Sequence, residues 1–152
     1  MQMISIRPYT DEDWSRISEI HDSARKLELH NAGLDGAFLP LRIAAPAEGL
    51  FDYTVAVAMQ EGRVCGFAAY ADEELAWLYV DPDYMRRGIG SALVRHVIEH
   101  TYKRPLCIEV LKGNTPAIRL YESMGFHTTK LCSGKMPGNE NFSVTVHCMQ
   151  LE

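Results

Sequence analysis

The stretch that most limits what this chain can become is "ELAWLYVDPDYMRRGIGSALV", residues 74–94. Its opening "ELAWLYV" is apolar and rich in strand formers, and Asp81-Pro82 stops it. Farther on, "GIGSALVRHVIEHT", residues 88–101, brings Ile89, Leu93, Val97 and Ile98 to one face, which predicts a helix. Between the two lie Arg86, Arg87, Gly88 and Gly90. The first amides of a helix lack intrahelical partners, and the helix dipole favours negative charge there. Glycine lets backbone approach a ligand closely, and the two arginines add full charge. The combination describes a cradle for phosphate or pyrophosphate.

Several readings fit such a cradle unequally. A P-loop needs a lysine directly after its glycines, and none follows here. A dinucleotide fingerprint needs a third small residue, where this chain has Leu93, and an acidic residue after a second strand, which is missing at the right distance. A coenzyme A pyrophosphate remains, as does a turn that only starts a helix. The stretch alone does not separate these two.

The rest of the chain supplies the setting. "MISIRPY" alternates as a first strand ending at Pro8, and residues 10–28 form an amphipathic helix through Trp14, Ile17, Ile20, Ala24 and Leu27, with Thr10 as cap. Residues 30–50 hold Gly33, Gly36, Pro40, Pro46 and Gly49 and read as a loop or a short second helix. "YTVAVAMQ" and "VCGFAAYA" form a hairpin around "EGR", "PLCIEVLK" is a strand, and "NTPAIRLYESMGF" is a helix capped by Asn114 and stopped at Gly125. "FHTTKLC" and "FSVTVHCMQ" close the chain as strands around a polar loop at 133–141. The order β-α-(α)-β-β-β-α-β-α-β-β predicts one α/β domain over residues 1–152, a mixed sheet with helices packed on it.

Composition narrows the function class. A net charge of −5 weighs against a general nucleic-acid binder. No apolar run reaches the ~20 residues of a membrane span, and "MQMISIRPYT" lacks a basic segment followed by a long apolar one. No pair among Cys65, Cys107, Cys132 and Cys148 is spaced C-x-x-C, and three sit in apolar strand-like segments, which predicts buried thiols. A cytoplasmic protein is expected. His96 and His100 are four apart on a helix, but Val97 follows His96 where a zinc protease motif has Glu, so no metal is expected.

Two stretches together resemble a known family. "LYVDPDYMRRGIGSALV", residues 78–94, resembles the acetyl-CoA signature of the GNAT superfamily of acyl-CoA-dependent N-acyltransferases. "EVLKGNTPAIRLYESMGF", residues 109–126, resembles the next GNAT motif, with Asn114, Ala117, Tyr121 and Gly125-Phe126 in order. The resemblance implies a mostly antiparallel central sheet splayed between its fourth and fifth strands, near residues 75–80 and 106–111, with helices on both faces. It implies that acetyl-CoA lies in the splay against Leu78, Tyr79 and Val80, with its pyrophosphate at Met85, Arg86, Arg87, Gly88, Ile89, Gly90 and Ser91, and with Asn114 and Ala117 beside the pantetheine. An amide near Val80, aimed by a β-bulge, would polarise the thioester. Met85 departs from the family's Gln or Arg and cannot donate a side-chain hydrogen bond; the backbone amides of 86–91 and the two arginines are expected to sustain binding.

The implied reaction is direct attack of a primary amine of a small molecule or protein on the thioester. An alkylammonium must first lose a proton, having a pKa near ~10.4. Among Asp72, Glu73 and Glu74, Glu74 is the expected base, with a solvated turn as the competing reading. Tyr121 is the expected acid toward the CoA thiolate, against a plain core tyrosine. Glu28, Asp35 and Asp52 could recognise a cationic acceptor, and His30 and the 133–141 loop border its expected site. The rival from another class is a non-catalytic acyl-CoA-binding sensor or scaffold on the same fold. Open sheet edges at the C-terminal strands leave room for a homodimer.

Overall fold

The two most regular alternating segments make the centre of the sheet. In the computed structural model, which describes residues 3–152, they are β2 (Thr54–Gln60) and β3 (Arg63–Ala71), joined by a two-residue turn in which Glu61 (φ 56°) and Gly62 (φ 73°) are both left-handed. That turn type matches the natural twist of a hairpin. Around this pair the chain adds β1 (Ser5–Pro8), β4 (Glu74–Val80), β5 (Leu106–Leu111), β6 (His127–Met136) and β7 (Asn139–Leu151). The strands lie in the order β1-β2-β3-β4-β5-β7-β6. Every pairing is antiparallel except β4 with β5.

Strand alternation divides the core in two. Val55, Val57, Phe67 and Trp77 face α1 (Trp14–Asn31) and α2 (Leu41–Glu48), meeting Ile17, Ile20 and Leu41. Ala56, Ala58, Ala68 and Leu75 face α3 (Ile89–Glu99) and α4 (Thr115–Ser123), meeting Leu93, Val97 and Tyr121. Each Ile or Leu enclosed this way contributes about 1.5–3 kcal/mol. The small alanines on the second face let α3 lie close to the sheet. Gly66 on β3 is needed there: a Cβ would come within 3.0 Å of the Tyr79 carbonyl oxygen and 3.1 Å of Ile89 Cγ2.

The parallel pair carries the feature that positions the site. β4 and β5 register only at Glu74 opposite Cys107, with the Cys107 amide donating to the Glu73 carbonyl at 2.9 Å, and beyond this point they diverge. β4 also bulges. Ala69 pairs with Trp77 but Tyr70 pairs with Leu75, so Ala76 has no partner on β3. As a result Ala76 and Trp77 both face α1 and α2 while Leu75 faces α3. The splay and the bulge agree with the sequence expectation.

Of the two readings of 30–50, loop or short second helix, the helix holds: α2 forms with Pro46 inside it and ends at Gly49, which is left-handed at φ 67°. Two expectations are revised. The polar stretch at 133–141 is not a loop. β6 and β7 continue through it and close around Pro137 and Gly138, because an exposed edge hairpin needs no apolar alternation at its tip. Among the four cysteines only Cys65 is buried, and Cys132 and Cys148 lie on the β6–β7 edge with their sulfurs 2.9 Å apart. No described helix is long and apolar enough to cross a membrane.

Candidate active site

The divergence of β4 from β5 leaves backbone groups of β4 without a neighbour. The Asp81 amide donates to the Cys65 carbonyl at 2.8 Å, so the amides of Asp81 and Tyr79 point at β3. By the alternation of an antiparallel ladder, the amides and carbonyls of Leu78 and Val80 point the other way, into the splay. A cavity of about 610 Å³ occupies it, walled by β4, β5, α1, α4 and the tip of the β6–β7 hairpin.

At the end of β4 the chain turns into α3. Asp81 holds the turn: its carboxylate accepts the Asp83 amide at 2.9 Å and pairs with the Arg16 guanidinium, whose Nε donates to the Val64 carbonyl at 2.8 Å. Burial pushes the Asp81 carboxyl up, but the Asp83 amide and Arg16 outweigh it and hold the group below the usual carboxylate range. Arg86 (φ 64°) and Gly88 (φ 83°) are both left-handed, which turns successive amides toward the start of α3. Met85 is half exposed and Ile89 is buried in the core, so Ile89 can offer a ligand only backbone. Arg87 leans back on Tyr84, 4.8 Å from the ring, and donates to Gln60 Oε1 at 3.3 Å and Glu61 Oε1 at 3.2 Å. Arg86 forms no ion pair among the described residues, so it is the freer charge at this loop.

Tyr121 lies on α4 in the cavity wall, buried and packed edge-on against Phe126 at 5.6 Å. Burial, with Glu28 and Tyr79 adding to it, raises its phenol well above the ordinary value, so it is neutral. Asn114 caps α4 by accepting the Ala117 amide at 3.4 Å, and its Nδ2 donates to Glu28 Oε2 at 2.9 Å. Glu74 sits where the splay opens and accepts the Tyr53 hydroxyl at 2.9 Å. Burial and this contact raise the Tyr53 phenol. Ala117 is half-buried in the same wall, and Ser91 is half-buried in the first turn of α3.

Some of the wall escaped the sequence reading. Glu109 on β5 lines the cavity with its carboxylate unpaired among the described residues; alternation between buried Ile108 and Val110 places it on the α1 face, a signal that was available. Glu28, considered as a recogniser of cations, is instead enclosed in a network: Arg25 pairs with it and the Tyr79 hydroxyl approaches it at 3.5 Å, besides Asn114. His21 is buried against Tyr79, 4.9 Å between rings, and its Nδ1 lies 2.9 Å from Asp22, which also accepts the Leu41 amide. Burial lowers the His21 pKa. His30 and Asp35 pair on the surface, and His96 and His100 stack with rings 4.0 Å apart, with no cluster of three metal-ligating residues among the described ones.

Comparison with known proteins agrees with this geometry. The acetyltransferase (GNAT) domain matches residues 51–128. The [Ribosomal protein bS18]-alanine N-acetyltransferase of Escherichia coli K12 is 43% identical over 75 residues, 45% of this chain and 51% of that protein. The peptidyl-lysine N-acetyltransferase YiaC of the same organism is 39% identical over 70 residues, 45% of this chain and 46% of that protein. The chain thus aligns with about half the length of these relatives. Among solved structures, the ribosomal-protein-S18-alanine N-acetyltransferase of Escherichia coli superposes with a TM-score of 0.70 at 26% identity, covering 98% of this chain and 93% of that one. A GCN5-related N-acetyltransferase from Rhodopseudomonas palustris shares the fold with a TM-score of 0.77 at 20% identity, covering 100% and 97%. The family match takes in just over half of the chain and contains the splay, the phosphate-type loop and Tyr121 together: this protein belongs to the GNAT acetyltransferase family.

Proposed function

We propose that the protein transfers an acetyl group from acetyl-CoA to a primary amine. The observation that carries this reading is one cavity that joins the free β4 backbone at Leu78 to a neutral buried tyrosine, Tyr121. In this reading pantetheine pairs with β4 as an added strand would. The pyrophosphate meets the amides from Arg86 to Ser91, with Arg86 as the added charge and Met85 contributing no donor. Asn114 and Ala117 border the arm. The amide near Val80 stabilises the oxyanion, a contribution of about 10²–10³ in rate for such donors.

The amine nitrogen bonds to the thioester carbon as the carbon–sulfur bond breaks. Glu74 takes one proton from the acceptor ammonium, through water, before attack; Tyr121 gives its proton to the departing thiolate and regains one when the new amide nitrogen sheds its second proton, through water. Glu109 offers a second carboxylate on the same face of the sheet. Its head is free, whereas Glu74 already holds the Tyr53 hydroxyl, so Glu74→Gln and Glu109→Gln together decide which one acts. The names of the relatives favour a protein amine, an N-terminus or a lysine, as acceptor. The family match does not reach α1 and α2, which wall the acceptor side.

The test is calorimetric titration with acetyl-CoA, with NAD as control, followed by acetyl transfer to amines and peptides. Acetyl-CoA binds and NAD does not. Tyr121→Phe keeps the acetyl-CoA affinity and lowers kcat by about 10²–10⁴. Failure to bind acetyl-CoA overturns the assignment; an undiminished kcat removes Tyr121 from it; binding without any transfer leaves an acyl-CoA-binding sensor or scaffold.

A further inference from the structure

The cavity wall contains one carboxylate that the fold itself does not favour. Glu48 is the last residue of α2, where the negative end of the helix dipole meets it. Its stem lies beside the β6–β7 turn, since a Cβ on Gly138 would be 4.0 Å from Glu48 Cγ. It therefore stands between α2 and the hairpin tip, the two elements that close the acceptor side of the cavity. Its carboxylate has no hydrogen bond or ion pair among the described residues. Its side chain stands at the cavity rim, partly enclosed by the wall and partly open to solvent.

The charges around it complete the picture. Arg25 is a cation whose charge acts on it, but Arg25 is committed to Glu28. Tyr79 faces the same space and stays neutral, as its phenol is raised by burial. Across the whole wall stand the carboxylates of Glu28, Glu48, Glu74 and Glu109 against the cations of Arg25 and Lys135. With Glu28 answered by Arg25, the acceptor side carries an excess of negative charge. Desolvation raises the Glu48 pKa and Arg25 opposes this, which fits a carboxylate short of a partner.

We infer that Glu48 reads a second positive charge on the acceptor, so that the preferred substrate is a primary amine with another cationic group nearby: a diamine or a basic peptide rather than a lone amine or a zwitterionic amino acid. This rests on the acetyl-transfer reading above. A free acceptor carboxylate would meet like charge here, and a second ammonium or guanidinium would supply the partner that Glu48 lacks.

The test is a panel of 1,4-diaminobutane, n-butylamine and a zwitterionic amino acid, with matched basic and neutral peptides, assayed at saturating acetyl-CoA. For the wild type, kcat/KM is highest for the doubly cationic acceptors and falls with added salt. In Glu48→Gln the diamine-to-monoamine ratio of kcat/KM drops roughly tenfold or more, and Glu48→Asp recovers part of it. Thermal stability of Glu48→Gln stays level or rises, since the helix end loses an unfavourable charge; a carboxylate kept for structure would lower it. An unchanged ratio in Glu48→Gln, with transfer intact, overturns this inference and leaves acetyl transfer standing. Failure of the wild type to acetylate any acceptor in the panel overturns both.

Discussion

Replacing Asp81 by Asn separates charge from shape at the root of the loop between β4 and α3. The new amide can still accept the Asp83 amide, now at 2.9 Å, through its oxygen. Its nitrogen then faces the Arg16 guanidinium, donor against donor. Arg16 keeps the Val64 carbonyl at 2.8 Å and a distant Glu19 at 3.7 Å. Breaking a buried ion pair by removing one partner costs about 3–5 kcal/mol. The side chains here are 17% and 11% exposed, so some water reaches them and about 2–4 kcal/mol is expected. For a domain of this size that lowers Tm by roughly 4–16 °C. The sign with pH follows from the depressed Asp81 pKa. In the unfolded chain the group binds its proton near ~3.9, so the stabilisation is complete above that value and is lost as pH falls through the lower folded pKa. Urea unfolding of both proteins at neutral and at acid pH, with acetyl-CoA titration at neutral pH, checks all of this. The gap between the two proteins narrows in acid, and the variant binds acetyl-CoA more weakly because its loop has lost its tether to α1. Equal stability at neutral pH, or a gap that does not change with pH, would refute the argument.

Gly66→Ala drives a methyl against the Tyr79 carbonyl and Ile89, where α3 meets β3; overpacking of this kind costs about 1–3 kcal/mol, read as a lower Tm and weaker acetyl-CoA binding. A Tm that rises would show that α3 can shift freely. Cys132 and Cys148 lose two protons and two electrons to peroxide, giving one disulfide and water, because their sulfurs already touch across β6 and β7. Intact mass falls by two hydrogens and two thiols disappear from titration, while buried Cys65 stays reactive only after unfolding; a Cys132→Ser variant that oxidises alike would contradict the assignment.

The parts of the site legible in the sequence are those whose chemistry is local. The strand end at Asp81-Pro82, the left-handed Gly88 and the Asn114 cap each sit within a few residues of what they organise. The Glu28 network was not legible, because its members are Arg25, Tyr79 and Asn114, brought together only by packing α1 over the splay. For residues 30–50 the sequence leaves loop and short helix open, because propensity treats Pro46 as a breaker; packing of Leu41, Ala44 and Ala45 decides for α2. The hairpin tip at 133–141 looks like a loop in the sequence because both its faces meet solvent over most of its length, which leaves no alternation.

β4 explains why these pieces must lie where they do. Its one edge pairs with β3 everywhere but at Ala76, which fixes its height in the sheet through pairings from Gly66–Val80 to Ala71–Glu74. Its other edge is given up after a single pairing to β5, which is costly for a central strand unless something else meets those backbone groups. The bulge at Ala76 then rotates the strand so that Trp77 and Tyr79 serve the α1 side while Leu78 and Val80 keep their amides toward the gap. A strand with an open edge in the middle of a sheet, a bulge beside the opening and a phosphate-type loop at its end answers to an extended ligand with an anionic tail. In the proposed reaction the donor fills that opening, and the carboxylates of Glu48, Glu74 and Glu109, which line the cavity on the α1 side, meet the amine that approaches from the other side.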